Sequence, residues 1–159
     1  GRLDGSRAAP QHRAMNKPLP GTPITAADQA LVDAAKSLIE QRYTENRHHI
    51  ASAVRGASGR IYTGLHLDTY VGRASVCAEA VALGQAMAGG EKAIEAIVSV
   101  RHPRPREQHQ DCKVVSPCGI CREMLTHFAA GATVILLRDD AHVRIPVEEL
   151  LPAKYKRHP

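Results

Sequence analysis

Two short stretches constrain this chain more than anything else in it: Cys77-Ala78-Glu79 and Pro117-Cys118-Gly119-Ile120-Cys121. Together they supply three thiols and one carboxylate. Zinc takes four ligands in proteins, and a catalytic site uses three from the chain and leaves the fourth place to water. Cys118 and Cys121 stand one helical turn apart, so a helix starting at Pro117 would aim both sulfurs at one point. Proline suits such a first turn, where its missing N–H would be unpaired in any case. Cys77 is expected at the start of a second helix, where it closes the triangle. Glu79 is too close to Cys77 in sequence to be a comfortable fourth ligand, yet near enough to reach a water in the open place. The spacing therefore predicts a metal site of Cys77, Cys118 and Cys121, with Glu79 as its acid/base. The alternative is a structural zinc site completed by a fourth protein ligand, for which Cys112 is the candidate; its proline-punctuated loop favours a free thiol instead.

Composition limits what surrounds this site. A chain of 159 residues makes one ordinary domain, and with no Trp and one Phe its core must be aliphatic. No apolar run approaches the roughly 18 residues of a membrane span, so none is expected. The basic residues near the start are not followed by an apolar stretch, so no secretory signal is expected either. Cysteines spaced Cys-x-x-Cys in such a chain favour metal or redox chemistry in a reducing compartment, and the cytoplasm is the expected location. The net charge of +5 is placed unevenly: residues 1–23 and 151–159 carry +3 each, which leaves the body at −1. Binders of nucleic acid need a basic body and aromatic platforms for bases, so nucleic acid is not the expected partner.

The order of elements follows from periodicity. Residues 1–23 are rich in Gly, Pro, Arg and Ser and are expected to be a mobile tail, with a single domain over 24–155 and a basic tail over 156–159. Thr25 followed by Asp28 has the form of a helix-start cap, and Leu31, Ala34, Ala35, Leu38 and Ile39 recur at the helical period up to about Tyr43. Residues 50–55 suit a strand, and Gly56 to Gly59 a turn. From Ile61 the pattern alternates, which puts His66 and Asp68 side by side on one surface. The helix from Cys77 is expected to bury Ala80, Val81, Gly84, Met87 and Ala88, and Ile94 to Val100 is the next strand. After a polar loop over 101–113 and the second cysteine motif, Leu125, Phe128 and Ala129 carry a helical stripe. Thr133 to Leu137 and His142 to Ile145 read as strands about an Asp139-Asp140 turn, and Val147 to Leu151 as a last helical turn. A central sheet with helices on its faces accommodates this order.

The two cysteine motifs, the strand from Arg60 to Asp68, and the closing Glu149-Leu150-Leu151-Pro152-Ala153-Lys154-Tyr155 resemble the zinc-dependent cytidine deaminase family, in particular its small homotetrameric and blasticidin S deaminase-like members. Cys77, where other branches place His, is similar to the nucleoside branch rather than the branch that edits nucleic acid. The resemblance implies an α/β fold, a three-layer α/β/α sandwich with a central five-stranded mixed sheet. It implies one zinc ion per subunit, a cytosine-type nucleoside as substrate, release of ammonia and a homotetramer. Glu79 is then the proton carrier. His66 and Asp68 match positions that hold the sugar hydroxyls as Asn and Glu in the family. His48 matches a ring over the base, the backbone of Ala78 and Ser116 the base edge, and Tyr155 an aromatic that enters a neighbouring subunit's pocket. Ala80 stands where many members carry an Arg that bonds the thiolates, and Arg122 is the candidate replacement. Two other classes stay open: a deaminase of single-stranded nucleic acid and a non-catalytic zinc module.

Overall fold

The computed structural model describes residues 21–157. Its elements are β1 (Thr22–Pro23), α1 (Ala26–Arg42), β2 (Ile50–Gly56), β3 (Ile61–Leu65), α2 (Ala78–Ala88), β4 (Ile94–Arg101), β5 (Lys113–Val115), α3 (Gly119–Phe128), β6 (Thr133–Arg138) and β7 (Ala141–Pro146). One short 3₁₀ turn over Gly72–Ala74 precedes α2, and another over Val147–Leu150 follows β7. The sheet runs β1-β7-β6-β4-β2-β3, with β5 paired to β4. Only β4 and β6 pair in parallel; the other pairs are antiparallel. The five expected strands are all present and form a mixed sheet, but β3 ends at Leu65, so His66 and Asp68 lie in the segment beyond it rather than on the strand as expected. Two short strands extend it, because Thr22–Pro23 and Lys113–Val115 are too brief to show an alternation in sequence. The expected N-terminal tail thus gives way to paired strand at Thr22, and the rest of it lies outside the described residues.

Alternation along the strands divides the core into two layers. Ala51, Ala53, Ala96, Val98, Val100 and Ile135 face Leu31, Val32, Ala35 and Ile39 of α1. Val54, Ile97, Val134 and Ile145 face the opposite way, against Ala82, Leu83 and Ala86 of α2 and Leu125 of α3. The result is α1 on one face of the sheet and α2 with α3 on the other, the three-layer sandwich. The start of α1 is fixed as expected: Asp28 N–H donates to Thr25 Oγ1 at 3.2 Å, and Thr25 N–H donates to Asp28 Oδ2 at 3.0 Å. Asp28 is also wholly buried and takes ion pairs from Arg55 at 2.9 Å and Arg144 at 3.2 Å, so the cap residue ties α1 to β2 and β7.

The apolar faces of α2 and α3 differ from the sequence expectation. The buried residues of α2 are Ala78, Glu79, Ala82, Leu83 and Ala86, not the stripe through Val81 and Gly84. Small and apolar residues surround this helix on nearly every side, so its periodicity cannot choose a face. Phe128 on α3 is exposed beside His127, while Leu125 and Ala129 are buried.

What places α2 is a close approach at Gly64. A Cβ there would run into the backbone of Ala78 and Ala82 and the side chain of Val81, so only glycine lets β3 meet the first turn of α2. Leu67 and Val76 then exchange N–H···O bonds of 2.9 Å, which draws the segment after β3 against the residue that precedes Cys77. Gly64→Ala should destabilise the fold by about 1–3 kcal/mol through overpacking, read as a lower denaturant midpoint. A variant as stable as the parent would show that the helix is not held by this contact.

Candidate active site

The cysteines sit at helix entrances. Cys77 (φ −66°, ψ 146°) is the residue at which α2 starts, and Cys118 (φ −68°, ψ 171°) does the same for α3. This corrects the expectation that the helices begin on Cys77 and Pro117: both cysteines have extended backbone, and the helical turns begin at Ala78 and Gly119. An extended cap residue directs its side chain across the open N–H groups of the first turn. Cys121 lies inside that turn of α3 and is buried. The ligand atoms of Cys77, Cys118 and Cys121 lie within 4.8 Å of one another, and Cys77 Sγ stands 3.6 Å from Cys118 Sγ. No other His, Cys, Asp or Glu among the described residues joins this group. Cys112, the candidate for a fourth ligand, is packed against the α1 layer instead.

Charge explains why the group needs a cation. Burial pushes the Cys77 thiol up, and the neighbouring Cys118 and Glu79 add to the rise. Burial also pushes up Cys121, followed by the charge of Glu79 and the Cys77 sulfur. Burial alone would raise Cys118 too, but the backbone N–H groups of Cys121 and Ile120 and the two neighbouring thiols bring it below its ordinary value. The open N–H groups of a helix N-terminus therefore favour thiolate at Cys118, whereas at Cys77 desolvation wins. Three thiolates beside a buried carboxylate repel one another strongly, and a divalent ion is what makes that set stable. Soft sulfur donors without a fourth protein ligand fit zinc.

Glu79 is 5% exposed, in the first turn of α2, two residues after Cys77 and on the buried side. Ala78 is buried between them. Ser116 is exposed just ahead of Pro117, and its Oγ accepts from Arg122 at 3.0 Å. Arg122 also donates to the carbonyls of Pro117 (3.0 Å) and Leu150 (3.2 Å). It braces the loop that carries Cys118 rather than the sulfurs, which overturns the expectation that it bonds the thiolates.

A second cluster adjoins the first through the Leu67–Val76 pairing. Asp68 Oδ1 accepts from Ser75 Oγ at 3.2 Å, and Asp68 N–H donates to the Arg47 carbonyl at 2.9 Å. His66 N–H donates to Ile50 O at 2.9 Å, and His48 Nδ1 donates to His66 O at 2.8 Å. His48, His66 and Asp68 are thus brought together, and all three are half-buried. Tyr155 does not join them within this chain; it is 80% exposed. His102 is stacked on Tyr43 with ring centroids 4.0 Å apart. Sequence reasoning missed His49, which is buried, with its ring 6.1 Å from His66 and its Nε2 3.8 Å from Asp68 Oδ2. Its position next to His48 at a strand entrance was the available signal.

A three-layer sandwich with a three-cysteine metal centre and a buried carboxylate at paired helix entrances defines a zinc-dependent deaminase-type fold. The chain belongs to the family described as the cytidine and deoxycytidylate deaminase zinc-binding region, which matches residues 25–137. It is 40% identical over 135 residues to a blasticidin-S deaminase of Bacillus cereus, covering 85% of this chain and 96% of that one. A cytidine deaminase of Sporosarcina psychrophila is 25% identical over 127 residues, 79% of this chain and 85% of the relative. Among solved structures, the cytidine deaminase of Bacillus anthracis superposes with a TM-score of 0.68 at 29% identity, covering 80% of this chain and 89% of that one.

One zinc per chain should be found by metal analysis of the purified protein. Cys121→Ser should lower that content severalfold, whereas Cys112→Ser should leave it unchanged. Loss of zinc from the Cys112 variant would mean that a fourth thiol takes part.

Proposed function

We propose that this protein is a zinc-dependent hydrolytic deaminase of a cytosine-type nucleoside or nucleoside analogue, releasing ammonia and leaving the uracil form. The observation that carries the reading is the meeting of Cys77, Cys118 and Cys121 beside the buried Glu79. Zinc held by these sulfurs would polarise a water and lower its pKa toward about 7. Glu79 is the group within reach to take the proton that this water gives up. Its carboxyl then passes the proton to N3 of the cytosine ring as the water oxygen bonds to C4. Glu79 next takes the remaining hydroxyl proton of that tetrahedral carbon and gives it to the exocyclic amine. The C4–N bond then breaks, ammonia leaves and C4 keeps the oxygen as a carbonyl. Burial suits Glu79 to this task, because bulk water cannot compete for the proton it carries.

In this reading Ala78 and Ser116 offer backbone groups to the base edge, and His48 lies beside the base. His66 and Asp68 receive the sugar. Asp carries its charge on a shorter arm than the Glu of the family pattern, and His offers different donors from Asn, so a modified sugar is the substrate favoured over plain cytidine. The higher identity to a blasticidin-S deaminase than to cytidine deaminases supports that choice. We place the enzyme in the cytoplasm, since thiols 3.6 Å apart need a reducing compartment to stay free. The assembly is a homotetramer in this proposal: Tyr70, Val71, Ile120 and Tyr155 are exposed and would be covered by neighbouring copies.

Glu79→Gln should keep its zinc and lose about 10²–10⁴-fold in kcat on the best of a panel of cytosine nucleosides, followed by ultraviolet absorbance. Full activity in that variant would remove the carboxylate from the mechanism.

A further inference from the structure

His49 is more deeply buried than any other described histidine, at 7% exposure, and it lies beside Asp68. Its Nε2 accepts the N–H of Asn46 at 3.0 Å. A nitrogen that accepts must present a lone pair, so the ring is neutral and its proton sits on Nδ1. That Nδ1 is buried and, like His66 Nδ1 beside it, has no hydrogen-bond partner in the protein. Asn46 itself is in the left-handed region at φ 61°, and the imidazole is what fastens its N–H there.

Asp68 Oδ2 lies 3.8 Å from the same Nε2, while Oδ1 is already held by Ser75. A neutral His49 has no hydrogen to offer Oδ2. Resting on the reading of Asp68 as a sugar ligand, we propose that His49 is a positioning residue for that carboxylate: neutral, it leaves Oδ2 free for a substrate hydroxyl, and protonated, it captures Oδ2 and weakens substrate binding. Protonation turns Nε2 from acceptor to donor. The Asn46 N–H then loses its partner and the carboxylate gains an ion pair, so one nitrogen exchanges two neighbours.

The surroundings set where the exchange falls. Tyr43, the residue that caps the end of α1, makes a T-shaped contact with the ring at 5.7 Å and is itself stacked with His102. His66 and Asp68 approach from the segment after β3, Arg101 from the end of β4 and Arg104 from the loop beyond it. Burial foremost, then Arg104, holds the imidazole below its ordinary value; Asp68 acts in the opposite direction and is outweighed. The ring is therefore neutral at pH 7, and capture belongs to the acid side of the ordinary imidazole range.

Steady-state kinetics from mildly acidic to neutral pH test this. In the parent enzyme KM should rise about tenfold per pH unit below the His49 transition, with kcat level. His49→Leu should hold KM constant over the same interval. The same KM rise in that variant overturns the proposal. Nitrogen-15 spectra of the parent protein give a readout independent of turnover: at pH 7 His49 should carry its proton on Nδ1, and Asp68→Asn should move its titration to lower pH. A charged ring at pH 7, or a titration unmoved by Asp68→Asn, also overturns it. No turnover of any cytosine nucleoside would count against the pocket itself and is seen as absent kcat, whereas the spectra still decide the His49–Asp68 coupling.

Discussion

The mutual repulsion of sulfur and carboxylate at the entrances of α2 and α3 is the constraint on which the rest depends. Thiols from Cys77, Cys118 and Cys121 lie within 4.8 Å of one another, next to the buried Glu79. Without a cation, burial and crowding keep Cys77 and Cys121 protonated. The sandwich supplies what this arrangement needs: two helices side by side on one sheet face, with their N-termini at the same end. The crossover from β4 through α3 to the parallel β6 sets one helix, and the Gly64 contact sets the other.

From that end of the sheet the substrate side follows. The pairing of Leu67 with Val76 joins the segment carrying His66 and Asp68 to the residue before Cys77, so the two clusters share one backbone support. Opposite them, Arg122 ties Ser116, Pro117 and Leu150 into one support for the loop that delivers Cys118. The loop after β4 is similarly braced, since Glu107 pairs with Arg101 and accepts the Arg104 N–H at 2.8 Å. Arg101 foremost lowers the Glu107 carboxyl to about 2, so that bond persists well into acid.

Much of this was legible in the sequence because it is local. A thiol pair one turn apart, a cap of Thr25 with Asp28, and a strict alternation after Arg60 each declare themselves within a few residues. What was not legible depends on distant partners or on faces that periodicity cannot distinguish. Helix α2 is small and apolar all round, so Gly64 on another element chooses its buried side. Phe128 looks like core by type and lies outside. His49 and Arg122 take their roles from residues 19 and 28 positions away, Asp68 and Leu150, which no spacing rule connects. The caps at Cys77 and Cys118 show a further limit: helix starts were found to within two residues, yet that margin decides whether a thiol belongs to the turn or looks across it.

X-ray absorption at the zinc edge of the purified protein addresses the metal centre most directly. Three sulfur scatterers and one lighter oxygen or nitrogen scatterer are the result expected of a site that keeps a place for water. Four sulfurs, or a shell of oxygen and nitrogen alone, would contradict it.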